Sequence, residues 1–330
     1  MTKKNRITRR AFSQATLATA ATLGMPSIVR AQAYPTRPVR MILPFAAGGV
    51  ADVTSRLAAD KLGGILGQRF VVENMAGPGG IAAARAAASA PPDGYTLYLI
   101  TNGTAISVAI YKQLPFDPMK DFAPVSGVGN FELVFTVNAD SPYKTLEDLL
   151  KAARAQPGKL NIGTISVGST QHLGAELFRS MAKLDIQLIP YKTSPDAMIG
   201  LIRNDVQLFI DFYAALRSGL VDKKMRPLAT SGTKRTAFLP DVPPVAEAGV
   251  PGYEVLSWNG LGVPTGTPPA IIATLNKAIR EVLAMPDVIK RYSEVGIEAH
   301  ASTPEEVRAR FVADVKKWSA VIERAKIPKL

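Results

Sequence analysis

The sequence predicts an α/β protein of two doubly wound domains, and three observations lead to this fold class. After residue 33, short apolar runs typical of β-strands alternate with runs of helical spacing. A β-α-β-α-β order of this kind favours a largely parallel sheet with helices on both faces. A second such set follows the first, and the Pro/Gly-dense stretch Pro240–Pro269 separates it from a helical tail.

The first 33 residues have the pattern of an export signal. A basic start leads into a mildly apolar, Ala/Thr-rich segment that ends in Ala31-Gln32-Ala33. Arg9-Arg10 is typical of the twin-arginine type. We therefore predict a signal peptide over residues 1–33, cleaved after Ala33, and a periplasmic mature protein. A membrane-anchoring helix is the alternative, although the Thr-rich segment is short for a membrane span.

Composition excludes several function classes. The signal segment holds six of the 39 Lys and Arg residues and no acids, which leaves 33 basic against 27 acidic residues spread along the chain. Nucleic-acid binding needs a concentrated basic patch, so we predict none. The chain has no Cys and two His. Because no metal-ligand or cofactor motif is present, we predict neither a metal nor a cofactor.

The first domain is predicted to begin with the strand Val39–Leu43. The glycine-rich turn LPFAAGGVAD then leads into a helix over Asp52–Leu62. The remaining elements of this block are a strand Phe70–Glu73, a helix Ile81–Ser89 and a strand Tyr95–Ile100, closed by a turn at Asn102-Gly103.

The second block opens with the strand Leu133–Val137. A capping box, Thr145 with Asp148, begins a helix over Leu146–Ala155. The next elements are the strand Leu160–Ile165, the helix Ser169–Ala182, the strand Ile186–Tyr191, the helix Pro195–Arg203, and the strands Val206–Ile210 and Arg226–Thr230.

The tail is predicted to be helical over Ile271–Ala284 and from a capping box, Thr303 with Glu306, to about Glu323. We expect these helices to pack on the first block. The predicted domains are therefore residues 34–135 with 252–330, and residues 136–251.

The turn LPFAAGGVAD matches neither established phosphate-binding motif. Gly48 and Gly49 are adjacent and are followed by Val50-Ala51, so the G-x-G-x-x-G spacing of a dinucleotide fingerprint fails, and the Lys of a P-loop is missing. Glycines still let the backbone approach a ligand, and N–H groups at a helix start attract anions. Asp52 as a helix cap, and a tight turn without a ligand, are the plain alternatives.

The second glycine-rich turn, GTISVGSTQHL, again joins a strand to a helix and offers the hydroxyls of Ser166, Ser169 and Thr170. A serine hydrolase with Ser169 or Ser166 as nucleophile is one hypothesis. A nucleophile elbow needs a second glycine after the serine, which this chain lacks. His172 lies one helical turn after Ser169, a spacing more typical of helix capping than of a catalytic triad, so we predict no catalytic residues.

Several strings together resemble the Bug family, the extracytoplasmic receptors of tripartite tricarboxylate transporters. The resemblance covers essentially the whole mature chain. The strings are Tyr34–Gly49, Val71–Asn74, Gly77–Gly80, Pro92–Thr96, Leu114–Asp117, Lys120–Val125, Ser169–Leu173, Leu239–Pro243 and Val245–Gly249.

This resemblance implies a type II periplasmic-binding-protein fold with a small carboxylate in the cleft between the domains. One carboxylate would be held by backbone N–H groups and waters from two loops, and side chains would meet its other end. The implied loop residues are Phe45, Ala46, Ala47, Gly48, Gly49, Val50, Ser166, Gly168, Ser169 and Thr170, and the side chains are those of Thr101, Asn102, Tyr191 and Asp211.

The resemblance also implies partners. A monomeric receptor would deliver its ligand to the membrane permease subunits of a tripartite transporter or to a sensor kinase. An orphan sensor component that feeds no transporter is a further alternative.

The chain departs from the family pattern within the implied site. Ala47 stands where the family usually has Pro, Val50 where it has Thr or Ser, and Phe212 where Asn is more common after Asp211. The site is thus more apolar and aromatic than citrate requires.

We therefore predict a ligand with an apolar or aromatic body. A binding screen of residues 34–330 against aliphatic and aromatic acids should favour the more apolar acids. Binding of citrate without binding of any aromatic acid would contradict this prediction.

Overall fold

The computed structural model describes residues 34–330, so the predicted signal peptide lies outside the described residues. Within residues 34–330, ten β-strands form one sheet and eleven α-helices flank it.

The strands are β1 (Val39–Leu43), β2 (Phe70–Asn74), β3 (Thr96–Thr101), β4 (Phe122–Asn138), β5 (Asn161–Ile165), β6 (Gln187–Tyr191), β7 (Leu208–Phe212), β8 (Met225–Thr230), β9 (Leu256–Pro264) and β10 (Ile297–Ala299). The helices are α1 (Val50–Leu66), α2 (Ile81–Ala88), α3 (Asn102–Ile110), α4 (Pro118–Asp121), α5 (Leu146–Ala155), α6 (Thr170–Ala182), α7 (Ser194–Ile202), α8 (Tyr213–Val221), α9 (Pro269–Leu283), α10 (Pro286–Glu294) and α11 (Pro304–Arg324).

The sheet has two parallel sections, as the alternating pattern predicts. Strand β1 pairs in parallel with β2 and β3, and β5 pairs in parallel with β6 and β7. The strand order is β2-β1-β3-β9-β4-β7-β5-β6, and β8 and β10 each pair with β4. The prediction of two successive βαβ sets is confirmed.

Strand β4 joins the two parallel sections. Its residues Phe122–Glu132 run antiparallel to β9, and Leu133–Asn138 run antiparallel to β7 or β8. Strand β9 in turn pairs with β3. Strand β9 therefore connects β4 to the first parallel section, and the later half of β4 pairs directly with the second.

Local sequence signals explain several helix starts. Thr145 with Asp148, and Thr303 with Glu306, form the predicted capping boxes at α5 and α11. Pro304 is the first residue of α11, a position where its missing N–H costs nothing.

Several elements differ from the sequence prediction, which did not include α4, α8, α10 or β10. Thr101 and Thr104 form a capping box that begins α3 directly at Asn102, so the predicted closing turn at Asn102-Gly103 is wrong. Strand β9 lies within the Pro/Gly-dense stretch that was predicted to be a separator. The first half of β4 was not predicted at all, since its glycines and Pro124 interrupt the apolar pattern.

The tail helices pack on the first block, as expected. Helix α11 lies against α3, and α9 lies against α1. Trp318 of α11 is almost fully buried in this core. In the same core, Phe135, Phe178 and Tyr253 form mutual edge-to-face contacts, with ring centroids 5.0–6.0 Å apart. No helix within residues 34–330 is long and apolar enough to cross a membrane.

Gly296 lies in the turn between α10 and β10, and it contacts Tyr213 at the start of α8. Its φ is +74°, and a Cβ added there would lie 2.7 Å from Tyr213. Gly64 in α1 has no atom within 4 Å of its hypothetical Cβ.

We predict that Gly296→Ala lowers the free energy of unfolding by about 1–3 kcal/mol, because a left-handed backbone and a close contact both oppose the methyl group. Gly64→Ala is the matched control, and we expect it to stabilise by up to about 1 kcal/mol. Denaturant unfolding measures both. Equal effects of the two substitutions would contradict the packing described for Gly296.

Candidate functional site

The candidate residues lie where parallel strands end. Open α/β sheets bind ligands at the carboxyl ends of their strands. Strands β1, β3, β5, β6 and β7 end at Leu43, Thr101, Ile165, Tyr191 and Phe212, and a helix follows each within six residues. Most of the predicted ligand residues therefore lie in loops or helix starts that directly follow a parallel strand.

The first loop is open to solvent. Residues Phe45–Gly49 are all exposed, and Gly48 has a φ of +84°. Helix α1 begins after Gly49, which provides no side-chain hydrogen bond to the helix start. The first N–H groups of an α-helix have no partner within the helix. The residues that carry them in α1, Val50, Ala51 and Asp52, follow the exposed loop and are themselves half-buried or buried.

Asp52 and Asn74 fix the shape of this loop. Asp52 Oδ2 accepts a hydrogen bond from the Gly48 N–H at 2.9 Å. Asn74 Nδ2 donates to Asp52 Oδ1 at 3.0 Å and to the Phe45 carbonyl at 3.1 Å. Arg56 forms a 2.9 Å ion pair with Asp52 Oδ1. Asp52, the third residue of α1, therefore anchors the loop. This role is close to that of a helix cap, the alternative that the sequence offers for Asp52.

The Asp52 carboxyl is an anion within this network. Burial raises its pKa, but hydrogen bonds from Arg56, the Gly48 N–H and Asn74 outweigh burial and hold the pKa below its ordinary value. Both of its oxygens are occupied by groups of the chain itself.

The second loop is capped by its own serine. Ser169 Oγ accepts from the His172 N–H at 3.1 Å and donates to the Ile165 carbonyl at 3.1 Å. Gly168 has a φ of +83°, and a Cβ there would lie 2.8 Å from Ile110 of α3. Ser166 is exposed, and its carbonyl accepts from the Ser169 N–H. Ser169 therefore caps helix α6, as its spacing from His172 predicts.

The His172 ring points away from the Ser169 hydroxyl. Its Nδ1 lies 3.1 Å from Thr164 Oγ1, and its Nε2 lies 4.0 Å from Glu176 Oε1. Burial, with a smaller contribution from the Arg179 charge, lowers the pKa of His172 to about 4. This ring is therefore a buried neutral group rather than a general base for Ser169.

Asn102 connects the two blocks. Its side chain is fully buried, donates to Thr170 Oγ1 at 2.9 Å and accepts from Trp318 Nε1 at 2.7 Å. Thr101 is buried beside it and caps α3. These contacts join the starts of α3 and α6.

Asp211 lies in β7 and Tyr191 ends β6, where it is half-buried. Asp211 is fully buried, and both carboxylate oxygens accept hydrogen bonds from the chain. The Tyr191 ring lies against Gly200 of α7 and Gly163 of β5, and burial raises its pKa. For both residues, contact with a ligand stays a prediction.

The structure thus brings together only part of the predicted set. Asn102 meets Thr170, and Asp211 meets Gln171, the residue after Thr170. No described hydrogen bond joins the loop Phe45–Val50 to the loop Ser166–Thr170. Sequence reasoning did not assign a role to Gln171 or Asn74, although both stand within strings that carry the family resemblance. Among residues 34–330, no group of three His, Asp or Glu side chains could hold a metal ion.

An α/β sheet with a glycine-containing loop before a helix start in each parallel section is typical of a solute-binding protein. The chain belongs to the tripartite tricarboxylate transporter family of receptors (TctC), whose family model matches residues 54–327. Proteins of this family are solute-binding receptors rather than enzymes.

Relatives and solved structures agree with this assignment. The chain is 34% identical to Protein BugT of Bordetella pertussis over 304 residues, which cover 92% of this chain and 93% of BugT. It is similar to the structure of R. palustris Rpa4515 with adipate, with 35% identity, a TM-score of 0.79, and coverage of 90% and 100% of the two chains. MatC (Rpa3494) from Rhodopseudomonas palustris with bound malate gives 30% identity, a TM-score of 0.73, and coverage of 88% and 100%. The α/β fold of this chain is that of the TctC-type periplasmic binding proteins.

The buried His172 predicts a pH effect on stability. Because its pKa falls from 6.5 to about 4 on folding, the unfolded chain takes up a proton more readily. Stability is therefore lost as the pH falls from about 6.5 towards 4.

We predict that His172→Asn, which can keep a bond to Thr164, flattens this loss. The difference between the wild-type and variant changes should be on the order of 2 kcal/mol. Urea unfolding at pH 7 and pH 4.5 measures it. Parallel pH profiles would show that His172 is not buried as a neutral ring.

Proposed function

We propose that this chain is a receptor for a small carboxylate, held at the loops Phe45–Val50 and Ser166–Thr170. The observation that carries this proposal is the start of α1. It directly follows the exposed loop Phe45–Gly49, it has no side-chain cap, and its nearest acid, Asp52, is already bound within the loop. A helix start with free N–H groups and a positive dipole end is an anion site.

The second loop supports the same chemistry. Helix α6 follows a loop with a left-handed glycine, Gly168, and its cap Ser169 uses its hydroxyl on the helix itself. The remaining donors near the loop surface are backbone N–H groups and the exposed Ser166 hydroxyl. Backbone donors of this type recognise a carboxylate without a dedicated basic side chain.

Two of the proteins that this chain resembles have been solved with small diacids. The similar structures contain adipate in one case and malate in the other. Adipate has an apolar body between its two carboxylates, which agrees with the more apolar site predicted here.

We also propose the domain division that the sequence predicts, residues 34–135 with 252–330 and residues 136–251. Two features support it: β4 changes partners between Glu132 and Leu133, and β9 begins at Leu256. In this arrangement, the ligand would lie in a cleft between the domains.

Receptors of this family are periplasmic and work with transporter components. For this chain we propose cleavage of the signal peptide after Ala33 and delivery of the ligand, as a monomer, to the permease subunits of a tripartite transporter. Delivery to a sensor kinase is the second candidate partner. The hydrolase alternative has no base on Ser169, since the His172 ring contacts Thr164 instead.

Val50 allows a sharp test, because it is the first residue of α1. Proline is accepted at this position, and the Gly49 backbone, with φ −76° and ψ 170°, already has the conformation that a following proline requires. Val50→Pro therefore removes one N–H donor from the proposed site while keeping the helix.

We predict that Val50→Pro weakens binding of adipate or another bound diacid at least tenfold, since a hydrogen bond to a charged group contributes about 1.5–3 kcal/mol. Val50→Ala, which keeps the N–H, is the matched control and should bind within about twofold of wild type. Calorimetric titration measures both variants. Equal affinities for the two would contradict backbone capture at this loop.

A further inference from the structure

Asp211 receives three hydrogen bonds inside the second parallel section. Its Oδ1 accepts from Gln171 Nε2 at 2.8 Å and from the Phe212 N–H at 2.7 Å, and its Oδ2 accepts from Ser194 Oγ at 2.5 Å. The side chain has no exposed surface. None of its described partners carries a charge.

These donors come from the starts of three helices. Gln171 is the second residue of α6, Ser194 is the first residue of α7, and Phe212 is the N-cap of α8. Each helix start carries a partial positive charge. The buried Asp211 carboxyl group therefore accepts hydrogen bonds where three helix starts meet, and its partner Gln171 belongs to the first turn that follows the loop Ser166–Thr170.

The charge of Asp211 is balanced by dipoles and not by a Lys or Arg among these contacts. Burial raises the pKa of Asp211 above its ordinary value, and the hydrogen bonds from Ser194, Gln171 and Phe212, which favour the ionised form, offset only part of this shift. Gln171 uses its amide N–H on Asp211, which fixes the first turn of α6 relative to α7 and α8.

We propose that Asp211 is a positioning residue that holds the starts of α6, α7 and α8 together, and that the negative charge of its ionised form sets the ligand charge that the second loop accepts. The charge part of this inference rests on the proposed function. Asp211 acts through its hydrogen bond to Gln171 and through its electric field at the start of α6. Its oxygens already accept hydrogen bonds from the chain and do not contact the ligand.

The consequence for selectivity follows from electrostatics. A ligand carboxylate at the start of α6 shares that helix end with Asp211. Like charges in a partly desolvated site repel each other, and a dianion is disfavoured more than a monoanion. Removal of the Asp211 charge should therefore favour diacids over monoacids of the same length.

Asp211→Asn tests the charge with little change of shape. Its amide oxygen can accept from Gln171 and from the Phe212 N–H, and its NH₂ can donate to Ser194 Oγ. Adipate and hexanoate form a matched ligand pair, because they have the same number of carbons and differ by one carboxylate. We expect the ratio of the hexanoate Kd to the adipate Kd to rise at least threefold in this variant.

Asp196→Asn is the control, because it likewise removes one carboxylate. Asp196 lies in the first turn of α7. Asp196 is exposed and bonds to the Thr193 hydroxyl at 2.7 Å, so solvent screens its charge. We expect its Kd ratio to equal that of wild type. An unchanged ratio in Asp211→Asn, or an equal rise in Asp196→Asn, would overturn the charge part of the inference.

The positioning part is tested without a ligand. Asp211→Leu leaves all three donors without an acceptor, so amide hydrogen exchange should rise together at residues 170–173, 194–197 and 212–215. Ser194→Ala should raise exchange only at α7. A rise confined to one helix in Asp211→Leu would overturn the positioning role.

The two parts can fail separately from the proposed function. A wild-type protein that bound no carboxylate would overturn the proposed function and the charge selectivity with it, and the exchange measurement would still decide the positioning role.

Discussion

The pairing of β4 with strands from both parallel sections is the constraint on which the rest of the structure depends. One strand of 17 residues pairs with β9 and β10 in its first half and with β7 and β8 in its second. Register shifts near Ser126, Gly129 and Thr136 let it bend between them. Gly129 is needed for this path, because a Cβ there would lie 2.7 Å from Ile297.

Around this strand, buried polar side chains tie together the helix starts that border the proposed site. Asn102 ties α3 to α6 and to Trp318 of the tail, while Asp211 ties α6 to α7 and α8. Most polar side chains predicted to touch a ligand are therefore occupied in holding backbone donors in place. Under the proposed function, backbone N–H groups recognise the ligand, and the buried side chains position them.

Sequence reasoning predicted the elements whose signals are local. The strand Val39–Leu43, the helix Leu146–Ala155 and two capping boxes are present as predicted, because spacing and caps act within a few residues. Strand β9 and the first half of β4 depend instead on pairing with distant strands, which overrides their glycine and proline content. The loops of the proposed site were predicted from short motifs. The bonds of Asp211 to Gln171 and Ser194 join residues 40 and 17 positions apart, and no local pattern predicts them.

The central claim is that backbone N–H groups at two helix starts hold the carboxylate. An amide ¹H–¹⁵N spectrum of residues 34–330, titrated with adipate, tests this most directly. The account predicts saturable shifts of the amides of residues 49–51 and 168–171 at one common Kd, with the largest changes at Gly49 and Val50. Saturable shifts confined to residues outside both loops would contradict it.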